Sequence, residues 1–502
     1  MSTSSNTRPS PPSTATTSTL PSPNPTKSFW HAEPSPLLLG HRSTRELPKN
    51  ADVVVIGSGI TGASAAWHLL NDNGKQEGSD CGEGFAGLDV VMLEAREACW
   101  GATGRNGGHC QPIIYQHAQD PSIGHFELAN LEAIKSLCQK LNIDCELHVQ
   151  PGVRALYSQA DVDAAAASLE SLERLDAGLA KHARLVTDAS ELQDLRIPTA
   201  TGAIVSDTAA RLWPYKFVAH ILETLLTSPT LPGGGAFNLQ THTPATSIDP
   251  SPSTPQSWII TTPRGTITAK KVILATNAYT SYLLRDYSDL IVPVRGQMSS
   301  LLPPPSLSGP ANRTKTSFGF LGPAQDDYLI QRDSRPRGGG SEQLLYGGGR
   351  SQGFSMGVSD DSAIGAETAV YLRTALNTLL GLGGDSKEEM TATHEWTGIM
   401  GFSRDDKPFV GPLPHRDGLF LSAGYTGHGM PNAWLCGRAV AGMVLGVLSG
   451  GKSTEGVVAD AVRDGGLPRA YLPHEERVAG ARLADTVEVQ DRLCGYKAEF
   501  ME

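Results

Sequence analysis

Three glycines, Gly57, Gly59 and Gly62, follow the apolar run Asp52–Ile56 and precede the small-residue stretch Ala63–Leu70. The order reads as strand, tight turn and helix, and each glycine in a G-x-G-x-x-G spacing has a physical task. Gly57 makes the turn, Gly59 lets the backbone approach a pyrophosphate, and Gly62 lets helix and strand pack closely. The helix start, with Ile60 and Thr61, offers unpaired N–H groups and the positive end of a dipole to phosphate oxygens. The next apolar run, Val90–Leu93, ends in Glu94, whose carboxylate suits the hydroxyls of an adenosine ribose. Glu94 lies 32 residues past Gly62, where about 20 from the fingerprint is usual. The polar, Gly-rich segment 71–89 accounts for the excess as a loop insertion. The chemistry implied is dinucleotide binding.

Which dinucleotide is decided further along. After Glu94, the residues Ala95 and Arg96 lead into Gly101-Ala102-Thr103-Gly104-Arg105-Asn106-Gly107-Gly108-His109. A nicotinamide dehydrogenase has no use for such a loop there. A flavin nucleotide does, because its pyrophosphate and ring system extend past the sheet edge and need backbone donors and small neighbours. A third loop, Gly427-His428-Gly429-Met430, follows the buried run Leu419–Ala423 and opens a helix read over 432–448.

The elements that must hold these loops alternate accordingly. Helices are predicted over 123–141, 159–175 and 215–226, the last with Pro214 at its first position. Strands are predicted at 153–157, 202–206, 236–239, 258–262 and 272–275. From 291 to 393 the texture changes to short alternating strands at 292–301, 328–331 and 344–346 between Pro- and Gly-rich loops, with one helix near 366–380.

Several segments in this order resemble the D-amino-acid oxidase/sarcosine oxidase superfamily, including its γ-glutamylputrescine oxidase-like branch. They are the Gly101–His109 loop, Ile273–Tyr279 with Asn277, Val294–Met298, Gly398–Asp405 with Pro408–Gly411, and Gly424–Met430. The resemblance implies an α/β fold, a Rossmann-type doubly wound FAD-binding domain with an interleaved α+β antiparallel-sheet substrate domain. The FAD-binding domain is expected from 29–115, 205–290 and 394–465, the substrate domain from 116–204 and 291–393, and a C-terminal extension from 466–502. Residues 1–28, rich in Ser, Thr and Pro, read as a disordered tail.

The same resemblance implies FAD as cofactor and adds Ala245 and Asn277 to its binding residues. The expected reaction oxidises the C–N bond of an amine or amino-acid-like substrate by hydride transfer to flavin N5, with O2 or another acceptor reoxidising the flavin. Two alternatives stay open: a same-fold FAD dehydrogenase acting on a non-amine substrate, and a flavin-binding regulatory protein without turnover. His109 and His428 are the catalytic candidates. Non-covalent FAD is expected, with a tether through His109 as the alternative. Relatives hold a substrate carboxylate with an arginine fork, so Arg295, Arg332 and Arg350 are candidates here, with Tyr328 and Tyr346 as pocket walls.

Composition removes other classes. With 41 basic residues scattered among 52 acidic ones and a formal net charge of −11, the chain lacks the clustered cations of a nucleic-acid surface. Seven cysteines form no C-x-x-C pair and no metal-ligand spacing, which suits a reducing compartment. No apolar run reaches the ~20 residues of a membrane span, and the cytosol is the default location.

Overall fold

The computed structural model describes residues 17–72, 87–229, 231, 234–254, 256–322, 325–334, 341–353, 355–383, 385–450 and 452–483. Most of the inserted segment 71–89, Cys81, Cys494 and the first part of the predicted tail lie outside the described residues.

The strand Asn50–Ile56 forms because its valines favour pleated, enclosed surroundings; Val53, Val54 and Val55 are fully buried. Each such burial contributes about 1.5–3 kcal/mol. This strand pairs in parallel with Asp89–Leu93 on one side and Gly265–Leu274 on the other. Ala236–Gln240 and Leu419–Ala423 extend the sheet in parallel beyond these two. The strands Ser247–Pro250, Trp258–Thr262 and Phe409–Pro412 pair antiparallel, giving eight strands in all among the described residues. Helices Ile60–Asn71 and Ala433–Leu448 pack together over one face. A Cβ at Gly437 would sit 2.5 Å from the Thr61 carbonyl oxygen, so only glycine permits this approach.

The second sheet has nine strands, mostly antiparallel, in the order 392–403, 291–301, 343–348, 325–332, 317–322, 148–156, 202–211 and 109–110, with 183–186 paired to 202–211. One face packs on helix Ala366–Leu379 through Val153, Ala155, Phe318, Leu329, Leu372 and Leu376. The opposite face looks toward the first domain. Paired residues on adjacent strands share a face, so Arg154, Gly319, Tyr328, Gly347, Met298 and Trp396 form one row across that face.

The structure differs from the sequence expectation at three boundaries and one end. Gly202–Arg211, Ala392–Ser403 and His109–Cys110 belong to the second sheet, whereas 205–211, 394–403 and 109–110 were assigned by sequence to the cofactor domain. Residues 17–28, expected within a disordered tail, are laid against the body as a strap. Ser18 N–H donates to Ser281 Oγ, Thr26 N–H donates to the Asp361 carbonyl oxygen, and Ser28 Oγ donates to the Gly104 carbonyl oxygen. Phe29 and Trp30 then anchor it against Trp213, with ring centroids 5.6 and 5.4 Å away. Among the described residues no helix is long and apolar enough to cross a membrane, and no group of three metal-ligating side chains occurs.

Candidate active site

One elongated cavity of about 740 Å³ runs from the C-terminal edge of the parallel sheet to the row of Tyr328. At its first end the backbone has no spare room. Gly57 adopts φ 105°, and a Cβ at Gly62 would lie 1.9 Å from the Gly57 carbonyl oxygen. The helix begins at Ile60 without a side-chain cap from Gly59; Thr103 Oγ1 accepts the Ile60 N–H at 3.1 Å. First-turn amides in this state are an anion site. Glu94 closes this end. One carboxylate oxygen accepts the Ser58 N–H and hydroxyl at 3.1 and 2.6 Å, the other the Arg96 N–H at 3.0 Å. Glu94 lines the cavity, and its oxygens keep lone-pair capacity for ribose hydroxyls. Ala245, Tyr282 and Leu283 also line the cavity.

The loop 95–109 forms the middle of the cavity. Ala95, Arg96, Gly101, Ala102, Thr103, Arg105, Asn106, Gly107 and His109 line it, together with Asn277. Gly62, Gly104 and Gly108 are not part of that lining; for Gly62 this is the packing role read from its spacing, and for Gly104 and Gly108 it differs from their expected place among the cofactor contacts. They are packing glycines: a Cβ on Gly104 would meet the Cys99 carbonyl oxygen at 2.2 Å, and one on Gly108 the Leu212 carbonyl oxygen at 2.4 Å. The loop is fixed by charge from beneath. Asp361, fully buried, takes both oxygens to Arg96 at 2.9 and 3.0 Å and lies 3.3 Å from Arg105 Nε. Arg105 also donates to the Thr397 carbonyl oxygen at 2.6 Å and to Thr26 of the strap. Burial pushes the Arg105 guanidinium down to about 10, against the pull of Asp361. These two arginines therefore serve both as cavity wall and as an internal ion pair.

The third loop closes the cavity with Gly427, His428, Gly429 and Met430. The helix Pro121–Leu141 holds it from outside. Asn130 donates to the Met430 carbonyl oxygen at 3.0 Å and accepts the Leu435 N–H at 2.9 Å. Glu127, 2% exposed, lies 3.0 Å from His428 Nε2 and accepts the Ile113 N–H at 2.8 Å. Burial pushes the Glu127 carboxyl up, but His428 and these hydrogen bonds outweigh it and hold it below the ordinary carboxylate value.

Beyond the loop lies a compartment walled by the second sheet. Tyr328 donates from its hydroxyl to Met298 Sδ and accepts the Gly107 N–H at 2.8 Å, and its ring stacks on His109 with centroids 6.2 Å apart. Burial pushes the His109 imidazole down to about 3, so it is neutral at physiological pH. Arg295 and Arg350 line this half; Arg350 lies over the Phe402 ring, 4.6 Å from its centroid, and 3.8 Å from Asp326. Two sequence candidates fall elsewhere. Arg332 is forked onto Glu146 at 2.8 and 2.9 Å and covered by Phe29 and Trp213, outside the cavity. Tyr346 is fully buried on the opposite face, donating to Asp327 at 2.8 Å. Sequence reasoning missed Arg154, Asp326 and Glu127. For Arg154 a signal existed: it is the charged residue in the apolar alternation Val153, Ala155.

A long cavity with an amide-rich glycine turn, a ribose-directed carboxylate and two small-residue loops fits FAD: Gly57–Thr61 and Glu94 would hold its adenosine diphosphate half, and the loops 101–107 and 427–430 its ring. A model for the DAO family, FAD dependent oxidoreductase, matches residues 52–443. The chain belongs to this family. It is an FAD-dependent oxidoreductase. It is 24% identical over 420 residues to the gamma-glutamylputrescine oxidoreductase of Escherichia coli strain K12, covering 79% of this chain and 84% of that protein. It is 23% identical over 412 residues to the glycine oxidase of Bacillus licheniformis, covering 79% and 94%. In fold it matches the crystal structure of glycine oxidase from Geobacillus kaustophilus with a TM-score of 0.60 at 17% identity, over 81% of this chain and 96% of that one.

Proposed function

We propose that this DAO-family enzyme oxidises a C–N bond of an amine or amino-acid-like substrate held between His109, Tyr328 and the closing loop. Bound FAD supplies the hydride acceptor, and O2 or another acceptor takes the electrons onward. The observation that supports an amine is the wall of His109 stacked on Tyr328, where burial disfavours a charged imidazole. Desolvation disfavours the charged form of any base, and the burial that keeps His109 neutral acts equally on a substrate amine beside it. Loss of hydride from the carbon requires that neutral form, because the nitrogen lone pair stabilises the developing positive charge. The names of the relatives, a gamma-glutamylputrescine oxidoreductase and a glycine oxidase, agree with this substrate class.

His109 then acts as a neutral wall and His428, backed by Glu127, as the polar group of the closing loop. Tyr328 positions Gly107 and excludes water between loop and sheet. FAD is read as non-covalently held, since this geometry of His109 is accounted for by stacking on Tyr328. Anaerobic mixing of the holoenzyme with a panel of secondary amines, primary amines, amino acids and hydroxy acids tests the reading. Bleaching of the flavin band by members of the amine series supports it; bleaching by hydroxy acids alone, or by nothing, sinks it. Acid precipitation of the same sample decides the tether: colour in the supernatant means non-covalent FAD, colour in the pellet a bond.

A further inference from the structure

Arg154 carries a charge that no carboxylate among the described residues pairs with. Val153 and Ala155, its neighbours on the strand His148–Leu156, are buried in the core beneath the sheet, so Arg154 faces the other way and lines the cavity. Its row runs through Gly319 to Tyr328. A Cβ on Gly319 would lie 3.6 Å from Arg154 Cγ, an ordinary contact, so glycine here leaves an open trough rather than relieving a clash. The other cations of the compartment are differently placed. Arg350 has Asp326 at 3.8 Å and an aromatic face below it, and Arg295 stands near Asp360. Among the described residues Arg154 has no ion pair with a carboxylate; its polar neighbour is the Tyr115 hydroxyl.

Resting on the reading that an amine binds beside Tyr328, we propose that Arg154 and the Gly319 trough form an anion subsite. It would receive a carboxylate that the substrate carries remote from its oxidised amine. A guanidinium offers two parallel donors that match a carboxylate, and the pair is strongest where water is scarce. The strand spacing sets the length. Arg154 and Tyr328 are two strands apart, a Cα separation of roughly 10 Å. With the amine beside His109 and Tyr328, a carboxylate at Arg154 belongs at the far end of the substrate, and chains of four or five methylenes test that separation. Arg154 is thus a specificity-determining residue for amines with a distal acid.

The test uses the FAD-loaded protein and two ligand sets. Calorimetry compares hexanoate with hexanamide, which need no turnover. Rapid flavin reduction compares 5-aminopentanoate and 6-aminohexanoate with pentylamine and hexylamine. Wild type is expected to favour the acid in both sets. Arg154→Met should weaken hexanoate about tenfold or more while leaving hexanamide unchanged, and should raise KM for the amino acids with little change in kcat. Arg154→Lys should retain part of the preference, and Gly319→Val, which fills the trough, should abolish it. Equal binding of hexanoate and hexanamide to wild type, or equal weakening of both in Arg154→Met, overturns the inference. If none of the amines reduces the flavin, the amine reading falls, and the hexanoate to hexanamide ratio still decides the role of Arg154.

Discussion

Replacing Asp361 by Asn tests the charge economy of the flavin loop. The side chain of Asp361 is fully buried, with Arg96 and Arg105 at 5% and 1% exposure. The substitution keeps the shape and removes the carboxylate that, among the described residues, pairs with both guanidiniums. Breaking a buried ion pair from one side costs about 3–5 kcal/mol, because the remaining charge is left uncompensated. At roughly 2 °C per kcal/mol for a large chain, the melting temperature should fall by about 6–10 °C. Thermal unfolding should be followed by circular dichroism and, in parallel, by the rise of free-FAD fluorescence. The fluorescence transition should move at least as far as the circular dichroism transition, because both arginines line the cofactor cavity. A fall below about 2 °C would refute the reasoning, showing that the strap and the Thr397 carbonyl carry the arginines without Asp361.

Three further outcomes are expected. His31 and His109 are both pushed down to about 3, chiefly by burial, so the unfolded chain binds protons that the folded one refuses between pH 6.5 and about 3. Stability should decline steadily as pH falls through that window, and urea melts of His31→Gln at pH 7 and pH 5 should show a flatter slope than wild type. Gly62→Ala should yield protein that retains no FAD after gel filtration, because its Cβ meets the Gly57 carbonyl oxygen at 1.9 Å and backbone cannot give way; normal flavin content would contradict the packing role. Glu127→Gln should raise the FAD dissociation constant several-fold in equilibrium dialysis, since it removes the charge against His428 while keeping an acceptor for the Ile113 N–H; an unchanged constant would separate the long helix from the closing loop.

The cofactor half was legible because its information is local. Gly57 to Gly62, Glu94 and the loop 101–109 are each short motifs whose spacing reflects backbone geometry. The substrate half was not, since it depends on which strands neighbour one another. Tyr328 and Tyr346 look alike in sequence, yet register places Tyr346 opposite Leu329 and on the far face from Tyr328. Arg332 shares the face of Tyr328 but lies four residues on, where Phe29 and Trp213 cover it. Arg154 sits in a strand that was recognised, but its place beside Gly319 and Tyr328 comes from pairing across three strands. The segment 17–28 misled for a related reason. Its Ser, Thr and Pro composition carries no apolar period, and its order comes from hydrogen bonds to residues 74 to 371 positions away.

Those separations give the strap a place in time. A ribosome adds about 5–20 residues per second, so between Thr26 and its partner Thr397, 371 positions later, roughly 20 to 70 s elapse. For most of that interval the glycine turn, Glu94 and the flavin loop are already synthesised, while the seat formed by Ser281, Ser359, Asp361 and Thr397 is still incomplete. Ser22, Thr26 and Ser28 can meet Arg96, Arg105 and Gly104 early, but the contacts with Ser281, Ser359 and Thr397 come late, and the nascent cofactor cleft stands only partly fastened for most of the chain's synthesis.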